Sequence, residues 1–165
     1  MKNNTKRKTI AVYIGRFSPP HEGHISIFNK LKNDFDSVYI LTSEPKFLSD
    51  LNPFTYEQKL KLFFMYGIED KYIKQLQGSG YNAPAIIKAI GIENSNEINL
   101  IIALGEKDSD RLISKRPDAY YKELPKDIKN YDDLNPASTN GYVLRFNNLS
   151  YDKNPISASG IRHAL

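Results

Sequence analysis

The sequence contains no cysteine, no tryptophan and only 2 methionines. Without cysteine there is no disulfide, no thiol nucleophile and no thiolate metal site, so stability must come from the core alone, as suits a reducing cytoplasm. Long hydrophobic runs are also missing: none approaches the ~20 residues that a membrane-crossing helix requires. The opening MKNNTKRKTI has the positive charge of a secretory leader, but the apolar stretch behind it is short and is cut by Gly15-Arg16. These absences predict a cytoplasmic protein without a membrane span.

What is present is an ordinary globular balance of 40% hydrophobic and 25% charged residues over 165 positions, the length of one domain. The formal charge of +4 suggests a polyanion partner until it is divided along the chain. Lys2, Lys6, Arg7 and Lys8 lie in the first eight residues with no acid among them, which leaves 19 bases against 19 acids from Thr9 onward. A neutral body offers no basic groove for many phosphates, which argues against a nucleic-acid partner. Residues 1–8 read as a basic flexible tail.

Residues 9–14 (TIAVYI) form a β-branched and aromatic run ended by Gly15, the pattern of a buried first strand. In residues 22–32, Ile27, Phe28 and Leu31 fall on one helical face, and His24, one turn earlier, shares it. Residues 37–42 (SVYILT) read as a second strand. Thr55, with Gln58 three positions on, opens a further helix whose expected buried face carries Leu60, Phe63 and Phe64, with Gly67 as its stop. A third strand is expected in 72–77 and a helix over 83–92, started by Pro84. The near-continuous INLIIAL of 98–104 has the signature of a parallel strand covered on both faces, and 142–146 reads as a fifth strand. GEKDSDR after Gly105 reads as a loop, a helix is expected to begin at 111–115, and 120–139 reads as irregular. Strands alternating with helices imply a three-layer α/β domain with a parallel sheet of about five strands, in which ligands bind beyond the carboxyl ends of the strands. The segments after Ile14 and after Leu104 therefore belong to the functional rim.

The first of these segments, Gly15-Arg-Phe-Ser-Pro-Pro-His-Glu-Gly-His24, fits G-x-F-x-P-x-H-x-G-H. His21 and His24 stand three apart at a helix start, where free N–H groups and the dipole favour phosphate, and two imidazole donors there could stabilise charge growing on a phosphoryl group. Ser157 and Ser159 at a second helix start, with Arg162 a turn later, form another anion site, because a guanidinium grips phosphate through paired hydrogen bonds. His163 lies outside both segments and reads as a surface residue.

The first segment resembles the nucleotidyltransferase superfamily that carries the HxGH signature, which includes nicotinamide mononucleotide (NMN) and phosphopantetheine adenylyltransferases and several cytidylyltransferases. Ile156-Ser-Ala-Ser-Gly-Ile-Arg162 is similar to that family's second signature, with Ser159 where Thr is usual. The resemblance implies a single Rossmann-like nucleotidyltransferase domain over 9–165. It also implies in-line attack of a substrate phosphate on the α-phosphate of ATP with release of pyrophosphate, and no covalent enzyme intermediate. By the same resemblance His21, His24 and Arg162 are catalytic, and Gly15, Arg16, Phe17, Ser18, Gly23, Gly105, Ser157 and Ser159 bind the nucleotide; Lys107 and Asp108, in the charged segment after Gly105, are candidates to read its base or ribose, with a solvated charged loop as the alternative. Mg²⁺ would be held mainly by the nucleotide's phosphates, with no protein metal site. Ser43-Glu-Pro-Lys46 followed by Asn52-Pro-Phe-Thr55 is similar to the archaeal-type NMN adenylyltransferases, which favours NMN as acceptor and Lys46 and Asn52 as its ligands. Gln58-Lys59, where that group has Glu-Arg, and 105–111 depart from it. A phosphopantetheine adenylyltransferase, a cytidylyltransferase and a non-catalytic nucleotide-binding module are the alternatives, the last suggested by the chain's end at Leu165 just after the second signature. A homo-oligomer is compatible with the sequence.

Overall fold

Alternation of side chains along the strands sets the architecture. In β1 (Lys8–Ile14) Ala11 and Tyr13 join one apolar cluster while Ile10 and Val12 join another, and in β4 (Ile98–Gly105) Ile101 and Ala103 part in the same way from Leu100, Ile102 and Leu104. A strand buried on both faces needs a layer on each side. The computed structural model, which describes residues 6–44, 48–49, 53–77, 81–114 and 116–146, supplies those layers. Helices α1 (Glu22–Asp34), through Ile27, Phe28 and Leu31, and α2 (Tyr56–Met65), through Phe63, pack on one side. Helices α3 (Ala83–Ala89), through Ile86, and α4 (Glu106–Leu112), through Leu112, pack on the other.

The remaining strands are β2 (Ser37–Thr42), β3 (Ile73–Gln75), β5 (Tyr121–Glu123) and β6 (Gly141–Phe146). The order is β3-β2-β1-β4-β6-β5, and each neighbouring pair is parallel. Strand order reverses between β1 and β4, the position at which sheets of this kind open a crevice beyond their carboxyl ends. Tyr13 pairs with Ala103, so Gly15 and Gly105 leave the sheet side by side at that crevice.

Three sequence expectations need correction. The sheet has six strands, because Tyr121–Glu123 pairs with β6 at the sheet edge inside a stretch read as irregular; three polar residues are too short to show a period. GEKDSDR is not a loop but α4 itself, which starts directly after β4, with Ser109 Oγ donating to the carbonyl of Gly105 (2.9 Å). Its charges hid it, since only the last residue is apolar. Finally, α2 is rotated from its expected face: Lys59 and Phe63 are the buried residues, and Phe64 is 69% exposed.

The folded body takes in two of the eight residues expected to form the tail. Lys8 opens β1, and Arg7 donates from Nε to Asn99 Oδ1 (2.9 Å) and from Nη2 to the carbonyls of Asp132 and Leu134. Asn99 in turn donates to Thr9 Oγ1 and to the Tyr131 carbonyl, so one buried amide clips β1, β4 and the 131–134 turn together. Hydrogen bonds from a charged donor contribute about 1.5–3 kcal/mol, and 1 kcal/mol moves Tm by about 2–4 °C in a domain of this size. Arg7→Met is therefore expected to lower Tm by about 3–12 °C; a thermal melt in which Arg7→Met keeps the wild-type midpoint contradicts the clip.

Candidate active site

The segment after β1 is built around an aromatic pin. Phe17 is buried at a backbone φ of 48°, in the left-handed region that a bulky side chain rarely adopts. Its ring stands edge-on to Tyr13 (5.0 Å between centroids), His24 (4.9 Å) and Phe63 (5.2 Å), which holds the strained backbone in place. Gly15 answers to the same ring: a Cβ there would come within 3.1 Å of it. The glycine is thus explained by packing inside the segment, and Phe17, expected among the nucleotide ligands, places its ring in the core. Ser18 Oγ is buried and has no hydrogen-bond partner among the described residues, a cost of about 1–3 kcal/mol that an incoming acceptor or donor would relieve.

His21 and His24 cap α1 reciprocally. His21 is the N-cap, and its Nδ1 accepts from Gly23 N–H (3.1 Å), while Nδ1 of His24 accepts from His21 N–H (3.0 Å). The rings stack, with centroids 3.6 Å apart. A ring nitrogen that accepts from a backbone N–H carries no proton, so the neutral tautomer of each imidazole has its proton on Nε2. Two Nε2–H donors thus sit on the N-terminus of a 13-residue helix, where the backbone dipole adds to their pull on an anion. Burial lowers the pKa of His21; burial and then the neighbouring His21 push that of His24 down to about 3. Both rings are neutral at pH 7 and serve as hydrogen-bond donors, not as stored positive charge.

Around the crevice, Arg16 is exposed, and its backbone carbonyl accepts from Thr42 Oγ1 (3.1 Å). Gly23 is buried on α1. Across the switch point Gly105 caps α4, and Lys107 and Asp108 lie in that helix's first turn; Asp108 pairs with Arg111 at 3.8 Å in an exposed contact of little energetic weight. The structure thus brings Gly15, Arg16, Ser18, His21, Gly23 and His24 together in one segment and sets Gly105, Lys107 and Asp108 beside it. Lys46, Asn52, Ser157, Ser159, Arg162 and His163 lie outside the described residues. No group of three or more His, Asp or Glu side chains suited to a metal occurs among the described residues. No helix among them is long and apolar enough to cross a membrane.

Two rim residues were missed by sequence reasoning. Burial and then Asp108 raise the pKa of the Tyr81 hydroxyl while Arg111 and Arg16 lower it, and the Tyr81 carbonyl accepts from Tyr121 OH (2.6 Å). Nothing in the sequence around Tyr81 marks it. Lys59 is fully buried, with Nζ 3.0 Å from the Ser43 carbonyl. It had a signal, since a lysine one turn before Phe63 sits on an apolar helical face.

The histidine pair has a pH signature. Each folded-state pKa lies below the usual value of about 6.5, so the unfolded chain binds protons first, and the stability carried by the neutral pair is present above that value and lost as pH falls below it. Between pH 6.5 and 4 the wild-type Tm is expected to fall more steeply than that of His24→Gln, whose amide oxygen can still accept from His21 N–H. Parallel melting curves for the two proteins would contradict the neutral cap.

The cytidylyltransferase-like family model matches residues 12–164. No curated protein matches the chain. Among solved structures, the chain is similar to a bifunctional NMN adenylyltransferase/ADP ribose pyrophosphatase from Francisella tularensis, with 24% identity, a TM-score of 0.50 and 63% of this chain covered. The aligned part spans 33% of that protein's own length. A Vibrio parahaemolyticus protein proposed to be a nicotinate-nucleotide adenylyltransferase aligns over 95% of this chain and 80% of its own, at 16% identity and a TM-score of 0.50. The nicotinic acid mononucleotide adenylyltransferase of Plasmodium falciparum, solved with APC, aligns over 85% of this chain and 74% of its own, at 12% identity and a TM-score of 0.50. At such identities these likenesses concern the fold, but the family model runs from the middle of β1 through the second serine-arginine segment, and on that match the chain belongs to the cytidylyltransferase-like nucleotidyltransferases, the superfamily that carries the HxGH signature.

Proposed function

We propose that the protein transfers an adenylyl group from ATP to a small phosphorylated acceptor, with NMN as the preferred acceptor. The observation that carries this reading is the pair of neutral imidazoles whose Nδ1 atoms are occupied by the α1 cap, which leaves both Nε2–H groups free for phosphate oxygens. An oxygen of the acceptor phosphate attacks the α-phosphorus of ATP, the bond to the bridging α,β oxygen breaks in line, and pyrophosphate leaves with the electron pair. Chemistry of this type needs positioning and charge stabilisation more than a nucleophile from the protein. His21 and His24 donate to the phosphate oxygens on which charge builds, and Arg16 adds a cation at the same edge. Ser157, Ser159 and Arg162 hold the β- and γ-phosphates, Gly105 with Lys107 and Asp108 borders the base and ribose, and Lys46 and Asn52 serve the acceptor. The donor set of the described residues suits phosphate oxygens more than a metal, so in this reading Mg²⁺ enters on the nucleotide and lowers the charge of its phosphates.

The Asn-Pro-Phe-Thr run ahead of α2 and the names of the similar structures support the nicotinamide-type acceptor. The test is a panel in which pyrophosphate release is followed with ATP or CTP against NMN, nicotinic acid mononucleotide, phosphopantetheine and glycerol 3-phosphate, with the product identified by mass. ATP with NMN is expected to give the highest kcat/KM, and His24→Ala is expected to lower turnover by on the order of 10² or more, as loss of a preorganised donor does. Turnover with CTP alone would overturn the adenylyl assignment, and wild-type turnover in a folded His24→Ala protein would overturn the role of the pair.

A further inference from the structure

Lys59 is a group for which the proposed reaction has no use, and stability alone does not explain it. Its side chain is 0% exposed, among the largest of the described residues to be so completely enclosed. No carboxylate among the described residues lies within 4.0 Å of Nζ, so the charge of Glu44 acts on it only from farther off, and an ammonium taken out of water without a direct ion pair is costly. An apolar residue of equal length would fill the same space without that cost.

Its two acceptors show what it does. Nζ donates to the Ser43 carbonyl (3.0 Å) and to Thr42 Oγ1 (3.4 Å), both at the carboxyl end of β2. An ammonium can only donate, so the Thr42 hydroxyl accepts from Lys59 and commits its own proton elsewhere, to the carbonyl of Arg16 at 3.1 Å. That carbonyl directly precedes Phe17, the residue in the left-handed conformation. One helical turn further along α2, Phe63 meets the Phe17 ring at 5.2 Å. A single face of α2 therefore grips the β1–α1 segment twice, through a polar relay to its backbone and through ring packing to its side chain. Burial lowers the lysine's pKa, Glu44 opposes it, and the Arg16 charge adds to the lowering.

We propose that Lys59 is a positioning residue of the nucleotide site, which through Thr42 fixes the Arg16 backbone and so sets where the Arg16 guanidinium meets phosphate. The inference rests on the proposed function, in which Arg16 binds a phosphate. Its test is a double-mutant cycle among Lys59→Met, Thr42→Val and Arg16→Ala, with ATP binding by calorimetry, kcat, KM and Tm measured for each. Lys59→Met is expected to weaken ATP binding about tenfold while kcat and Tm change little, and Thr42→Val is expected to do the same. Either one added to Arg16→Ala is expected to worsen ATP binding by less than threefold, because residues acting through one another are not additive. Should Lys59→Met fail to fold, Thr42→Val, which keeps the lysine, reads the same relay. Wild-type nucleotide binding that survives Lys59→Met or Thr42→Val unchanged, or losses that multiply with Arg16→Ala, overturns the inference alone. A wild-type protein that binds no nucleotide overturns the proposed function and this inference with it.

Discussion

The reciprocal cap at the start of α1 is the interaction on which the rest of the site depends. A helix N-terminus leaves backbone N–H groups without partners, and most helices answer with a serine, threonine or aspartate. Here two histidines answer instead, His21 through Nδ1 to Gly23 N–H and His24 through Nδ1 to His21 N–H. One geometric fact then has three consequences. The rings are stacked 3.6 Å apart, their tautomer is set by the cap, and the edges left over are both donors. A structural necessity of the helix has been met by side chains whose remaining atoms are suited to phosphate.

The segment before that cap is fixed in its turn. Phe17 wedges between Tyr13, Phe63 and His24, and it does so at a backbone angle that must be held from outside. The sheet supplies Tyr13, α2 supplies Phe63 and Lys59, and β2 supplies Thr42. Each comes from a different element, so the segment is positioned by the whole half of the domain that packs on the α1 side. On the other side of the switch point α4 has anchors of its own: Ser109 Oγ donates to the Gly105 carbonyl, and Asp110 pairs with Arg145 of β6, which also holds Glu123 of β5.

Much of this was legible in the sequence. The buried strands declared themselves because a parallel strand covered on both faces must be apolar throughout, as INLIIAL is. The Thr55–Gln58 capping box was readable and is present, with both of its hydrogen bonds formed. The histidine spacing marked the α1 start. What was illegible had physical reasons. β5 is too short and polar for a period, α4 is charged, and the rotation of α2 that buries Lys59 and exposes Phe64 left only a weak trace, a lysine one turn before Phe63 whose acceptor, the Ser43 carbonyl, lies on another element. The role of Gly15 was legible only in part: it marked the end of the first strand, but the Phe17 ring that calls for a glycine there was not visible.

The central claim is that both imidazoles are neutral at pH 7 and carry their proton on Nε2, the atom proposed to meet phosphate. Nitrogen-15 NMR of protein labelled in its histidine rings tests it most directly, in a His163→Gln background that leaves only His21 and His24 of the chain's 3 histidines. The account predicts two neutral rings, both in the Nε2–H tautomer, whose Nε2 resonances move when ATP is added. An imidazolium, an Nδ1–H tautomer in either ring, or resonances indifferent to ATP would contradict it.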